Sequence, residues 1–145
     1  MPRTIIRPRP RDKATSFGTP AEEKKDEFLG KLAKYIPAEI NAAYLFMAGI
    51  ISSISNVPPL VLWIVFLALA ITAPFYFWFV AAKEKVDPDK AQIVISPFAF
   101  FIWVFAIGGP FAAYSWYNQA YGAILLGFAT VLIPMVDFLI TRKAK

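Results

Sequence analysis

Two carboxylates, Glu39 and Asp137, stand inside otherwise apolar stretches of the chain. An ionisable group within a membrane span is expensive to keep there, and where one occurs it commonly handles an ion or a proton. Glu39, Asp137 and the amide of Asn41 are therefore the candidate ion or proton site. Both acids fall near the same end of their apolar segments, so one vestibule could hold the pair. Plainer roles compete with that chemistry. An acid in a helix's first turn is favoured by the helix dipole, which suits Glu39. Asp137 could pair with Arg142 or Lys34. Ser52, Ser53, Ser55 and Asn56 could line a water path, hydrogen-bond a neighbouring helix or simply be solvated.

Histidine and cysteine are absent. That removes thiol nucleophiles, thiolate zinc sites, imidazole haem ligation and imidazole acid–base chemistry. No glycine-rich phosphate loop is present, since the glycines are few and lie mainly in apolar segments. A non-enzymatic role follows as the expectation, with no metal, cofactor or nucleic acid expected.

A second group of residues could make contacts rather than reactions. Arg3, Arg7, Pro8, Arg9, Pro10 and Arg11 form an alternating Arg/Pro leader. Proline fixes φ and like charges repel, so residues 1–18 read as an extended basic tail. Such a tail can be solvated, bind anionic lipid headgroups or dock into a groove on a protein partner. Lys24 and Lys31 extend the basic surface. Small residues four apart (Ala38/Ala42, Ala48/Ser52, Gly109/Ala113 and Ala123/Gly127) allow close helix approach, within the bundle or between copies. Gly108, Gly109 and Pro110 together should break or hinge a helix.

The elements that must position these residues follow from hydropathy. Of 145 residues, 58% are hydrophobic, and the excess is concentrated from Tyr35 to Thr141. A soluble core could not hide that much apolar surface at this length. The fold expected is all-α: a polytopic membrane protein with a four-transmembrane-helix bundle over residues 37–145. Spans are expected at about 37–55, 60–82, 93–116 and 120–140, each near the roughly 20 residues that cross about 30 Å of hydrocarbon. Pro74, Pro97, Pro110 and Pro134 read as kinks, which membrane helices tolerate. Asp87 is expected to cap the third span, with Pro88 at its first position.

Residues 19–36 are expected to form an amphipathic helix. Thr19 caps it, Pro20 opens it, and Glu22 completes a capping box. Phe28, Leu29, Leu32, Tyr35 and Ile36 make one apolar stripe, and a basic amphipathic helix beside a span should lie in the headgroup layer.

Sidedness is read from charge. Nine of the 15 Lys and Arg residues lie in 1–34, three in 83–90 and three at Arg142, Lys143 and Lys145. The turns near Asn56 and Asn118 carry none. The positive-inside rule then puts both termini in the cytoplasm, with a prokaryotic inner membrane as the expected location. Met1–Pro10 has no apolar stretch, so no cleavable signal is expected and the first span directs insertion. Trp63, Tyr114, Trp116, Tyr117 and Tyr121 should form one interfacial belt, and Tyr35, Tyr76 and Trp78 the other. Trp103, in mid-span, should pack between helices or face lipid.

Two functions are expected from this layout. One is a membrane anchor or assembly subunit, self-associating as a homo-oligomer, that engages a cytoplasmic protein through the basic tail and the amphipathic helix. The other is a small oligomeric channel, pore-forming effector or transporter that uses Glu39 and Asp137.

Overall fold

The computed structural model describes residues 19–143. It contains five α-helices and, among the described residues, no strand. They are α1 (Pro20–Ala33), α2 (Ala38–Ser53), α3 (Pro59–Glu84), α4 (Lys90–Ile107) and α5 (Gln119–Lys143), with a 3-10 segment at Gly109–Ala113 after α4.

The capping box at α1 forms as the sequence indicates. The Thr19 N–H donates to Glu22 Oε2 at 2.9 Å, and the Glu22 N–H donates to Thr19 Oγ1 at 3.3 Å. The cap of α4 lies two residues later than expected. Asp89, not Asp87, accepts the Ala91 N–H at 2.9 Å, leaving Pro88 outside the helix. Asn118 accepts the Ala120 N–H at 2.9 Å at the start of α5. Helices α3, α4 and α5 run unbroken through Pro74, Pro97 and Pro134.

Three stretches are long and apolar enough to cross a membrane: Pro59–Glu84, Lys90–Ala113 and Gln119–Lys143. The segment expected as span one is shorter than the sequence suggested. Its helix, α2, has 16 residues, so it rises about 24 Å, less than the roughly 30 Å of bilayer hydrocarbon. The hydroxyls of Ser52 and Ser53 turn back onto the carbonyls of Gly49 and Ile50. The chain then becomes extended at Ile54 and left-handed at Asn56.

Helix α4 is the centre of the molecule. Half of its apolar window is buried, against 11% for α3 and 17% for α5. It packs against both α3 and α5. The α4–α5 seam is built on small residues. A Cβ on Gly122 would lie 2.8 Å from Ala106 Cα and 3.0 Å from the Phe105 carbonyl oxygen. Antiparallel register sets Ala129 level with Ala99, and both are buried. By contrast α3 presents Leu60, Ile64, Leu67, Ile71, Phe75 and Trp78 outward as one bare apolar stripe. An outward stripe with no protein against it is what a lipid-facing helix carries.

The course of α1 differs from the expected interfacial position. Its first turns (Glu22, Glu23, Lys25, Asp26 and Leu29) border a groove with Ile107 and Gln119. Its last turn (Lys31, Leu32, Lys34 and Tyr35) borders Ala129, Thr130, Ile133 and Pro134. Helix α1 therefore runs beside α5 in the same direction. Leu32 and Ile36 are buried, with Phe28, Leu29 and Tyr35 packed on the same core. The stripe is amphipathic, as read from the sequence, but protein covers it. Thr19 consequently enters at the end of the bundle that holds the Asn118 turn, away from the 83–90 loop and Lys143.

Candidate functional site

The two acids named from the sequence lie on different helices, Glu39 on α2 and Asp137 on α5. Glu39, exposed in the first turn of α2, accepts a hydrogen bond from the Tyr76 hydroxyl of α3. Asp137 of α5 is half-buried and accepts from the Tyr35 hydroxyl and, at 3.5 Å, from Thr141 Oγ1. Each carboxylate is thus held by its own tyrosine. Among the described residues no salt bridge joins Asp137 to Lys34 or Arg142. Burial and the Asp137 carboxylate push the Tyr35 hydroxyl above its usual range, which keeps it a proton donor. The described residues hold no group of three His, Cys, Asp or Glu that could bind a metal.

The Oδ1 of Asn41 is buried without a hydrogen-bond partner. Lys24 is exposed. Lys31 pairs with Glu27 at 2.8 Å on the solvent side of α1 and lies 5.6 Å from the Phe28 ring centroid. Arg3, Arg7, Pro8, Arg9, Pro10 and Arg11 lie outside the described residues.

The break at Gly108, Gly109 and Pro110 is present. Gly108 and Gly109 take φ of +104° and +47°, which L side chains rarely adopt. A Cβ on Gly109 would lie 2.5 Å from Val104 Cγ1 and 2.6 Å from the Tyr44 hydroxyl. Tyr117 ties the connecting segment down by donating to the Phe105 carbonyl at 2.6 Å. Of the packing residues named from α5, Ala123 is exposed and Gly127 has nothing within 4 Å of its would-be Cβ. Gly122 makes the close approach instead. Its signal was the seven-residue spacing Gly122/Ala129 against Ala99/Ala106, which a search at four-residue spacing passes over.

Aromatic residues gather at the Asn118 end. Trp63 Nε1 donates to the Tyr114 hydroxyl at 3.2 Å, and Trp116 stacks on Tyr114. Trp103 packs inside, against Phe100 and Tyr44.

The exposed face of α1 is the most polar surface of the described helices. It carries Glu22, Glu23, Lys24, Asp26, Glu27, Lys31 and Lys34. Comparison with family models, curated proteins and solved structures gives no match to this chain.

Proposed function

We propose that this protein is a non-enzymatic membrane anchor or assembly subunit. Its apolar helices hold it in the bilayer, and its polar N-terminal part, tail and α1 together, engages a cytoplasmic protein. The observation that carries this reading is the contrast between α1 and its neighbours. Seven ionisable side chains are exposed along α1, while α3 and α5 turn bare apolar stripes outward.

That contrast supports a particular place for α1 in a membrane. A charged side chain at bilayer depth costs about 2.5–3.5 kcal/mol on insertion scales. Its apolar residues gain about 1.5–3 kcal/mol each from burial, and they keep much of that gain against lipid. Seven charges therefore outweigh the stripe. In the bilayer α1 leaves the α4–α5 groove, pivots at the turn before Pro37 and lies in the headgroup layer. There it presents its charges to water, anionic headgroups and the partner. The Lys and Arg pattern supports cytoplasmic placement of both termini and the 83–90 loop, with α2 completing four spans across a locally thinned bilayer. Self-association in the membrane belongs to the same reading.

The test uses the absence of cysteine. Glu23→Cys and Lys143→Cys, probed with an impermeant maleimide in oriented vesicles, should label from the same side. Labelling from opposite sides would overturn the arrangement. Deleting residues 1–18 should abolish co-purification of the partner without loss of insertion, and unchanged co-purification would sink the tail's role. The channel reading, with Glu39 and Asp137 at its ion or proton site, predicts ion flux in liposomes that Glu39→Gln or Asp137→Asn would alter.

A further inference from the structure

Between α3 and α4 lies an open crevice of about 470 Å³, lined by Pro74, Phe75, Trp78 and Ile93. Its lining side chains are apolar apart from the Trp78 indole N–H. Phe75 and Trp78 are 64% and 60% exposed, so no protein closes it. The 83–90 loop joins the two helices at the end of the crevice nearest Trp78 and Ile93. Lys85, the residue that ends α3, comes seven residues after Trp78. That is about two turns along the same face and about 10 Å nearer the loop. Lys90 opens α4 one turn before Ile93. Both lysines are exposed, and among the described residues no salt bridge holds either. The neighbouring acids differ in placement. Asp89 accepts the Ala91 N–H as the cap of α4. Glu84 is six residues from Trp78, so register carries it to another side of α3. Asp87 is exposed in the loop.

We propose that this crevice binds one anionic phospholipid, an acyl chain lying against Phe75, Trp78 and Ile93 and the headgroup phosphate between Lys85 and Lys90. The site presupposes that α3 and α4 span the membrane, as proposed above. Shape and charge select this occupant. From Pro74 to Trp78 the crevice covers little more than one turn of α3, a length that seats a hydrocarbon chain but not a second helix about 10 Å across. A zwitterionic headgroup brings its own cation to the phosphate, and two further ammonium groups gain little beside it. A headgroup of net negative charge takes both lysines as its partners. Basic pockets between membrane helices on the cytoplasmic side bind anionic headgroups in this way. The lysine stems can lie along the apolar walls while their ammonium groups stay at the level of the phosphate.

Native mass spectrometry of the full chain, released from nanodiscs of equal phosphatidylglycerol and phosphatidylcholine, tests this. The wild-type chain should retain one phosphatidylglycerol, in about tenfold preference over phosphatidylcholine. Lys85→Gln/Lys90→Gln should cut that preference to about twofold or less. Arg142→Gln/Lys143→Gln removes as much charge from α5 at the same end of the bundle and should leave the preference unchanged. Equal losses in the two variants would reveal a general pull of basic residues on the leaflet and overturn the site. No preference in the wild-type chain overturns it as well, whether or not the variants fold. Alkaline carbonate washing of membranes separates the two possible failures. A chain that stays in the membrane yet shows no preference sinks the lipid site alone. A chain that washes off sinks the membrane reading and the site with it.

Discussion

Two glycines on one helix show how far residue type alone misleads. Gly122 and Gly127 both lie within α5, where glycine weakens a helix by about 1 kcal/mol relative to alanine. Only Gly122 faces backbone at under 3 Å. Gly122→Ala should therefore destabilise by about 1–3 kcal/mol through overpacking of the α4 seam. Gly127→Ala should stabilise by about 0.5–1 kcal/mol, because nothing opposes the added methyl. Unfolding in mixed micelles measures both, and equal effects would show that the seam is not rigid. The tyrosine hydroxyls that hold Glu39 and Asp137 were equally hidden from sequence reading. Tyr35 and Tyr76 read there as interfacial aromatics, and only helix adjacency turns them into hydrogen-bond donors to the acids.

At the scale of elements, what was legible was whatever short-range chemistry decides. The capping box at Thr19 and Glu22, the helices through Pro74 and Pro134, and the break at Gly108 and Gly109 each depend on a few neighbouring residues. Thr19→Ala should cost about 1 kcal/mol and fray the first turn of α1, visible as faster amide exchange at Glu22 and Glu23. The length of α2 and the docking of α1 were not legible. Helix α2 ends where Ile54 turns extended and Asn56 left-handed, a backbone choice that hydropathy does not register. The stripe on α1 suits lipid and protein equally, so the sequence could not name its cover. Helix α1 also carries a pH dependence. The hydrogen bond and charge of Lys31 hold the exposed Glu27 carboxylate below its ordinary 4.5. The pair's contribution is present above that value and is lost as pH falls through the lower folded value. Helicity of α1, followed by amide shifts, should decline slightly below pH 4.5 in the wild type and less so in Lys31→Ala.

For the whole molecule, the relevant contrast is between a central helix and its surroundings. Helix α4 is buried by protein, α3 and α5 turn apolar faces outward, and α1 exposes charge. A bilayer accepts the first two and rejects the third. The two positions of α1 can be told apart directly. A disulfide between Leu32→Cys and Ala129→Cys should form readily while α1 fills its groove and should be lost on reconstitution into a bilayer. Persistence of that disulfide at the same rate would hold α1 in place and send Thr19 to the side opposite Lys143.

The burial of α4 also bears on how this chain can change over generations. Lipid accepts any large apolar side chain, so the outward stripes of α3 and α5 are free to drift among Leu, Ile, Val and Phe. The inward residues of α4 have no such freedom. Ala99, Phe100, Val104 and Ala106 are fully enclosed, and each is fitted against a partner whose own replacement would have to occur in step. A saturation library should therefore show its intolerant positions clustered on the second of the three long apolar helices. Distant versions of this protein would keep that helix's pattern of small and large residues after the rest had become unrecognisable.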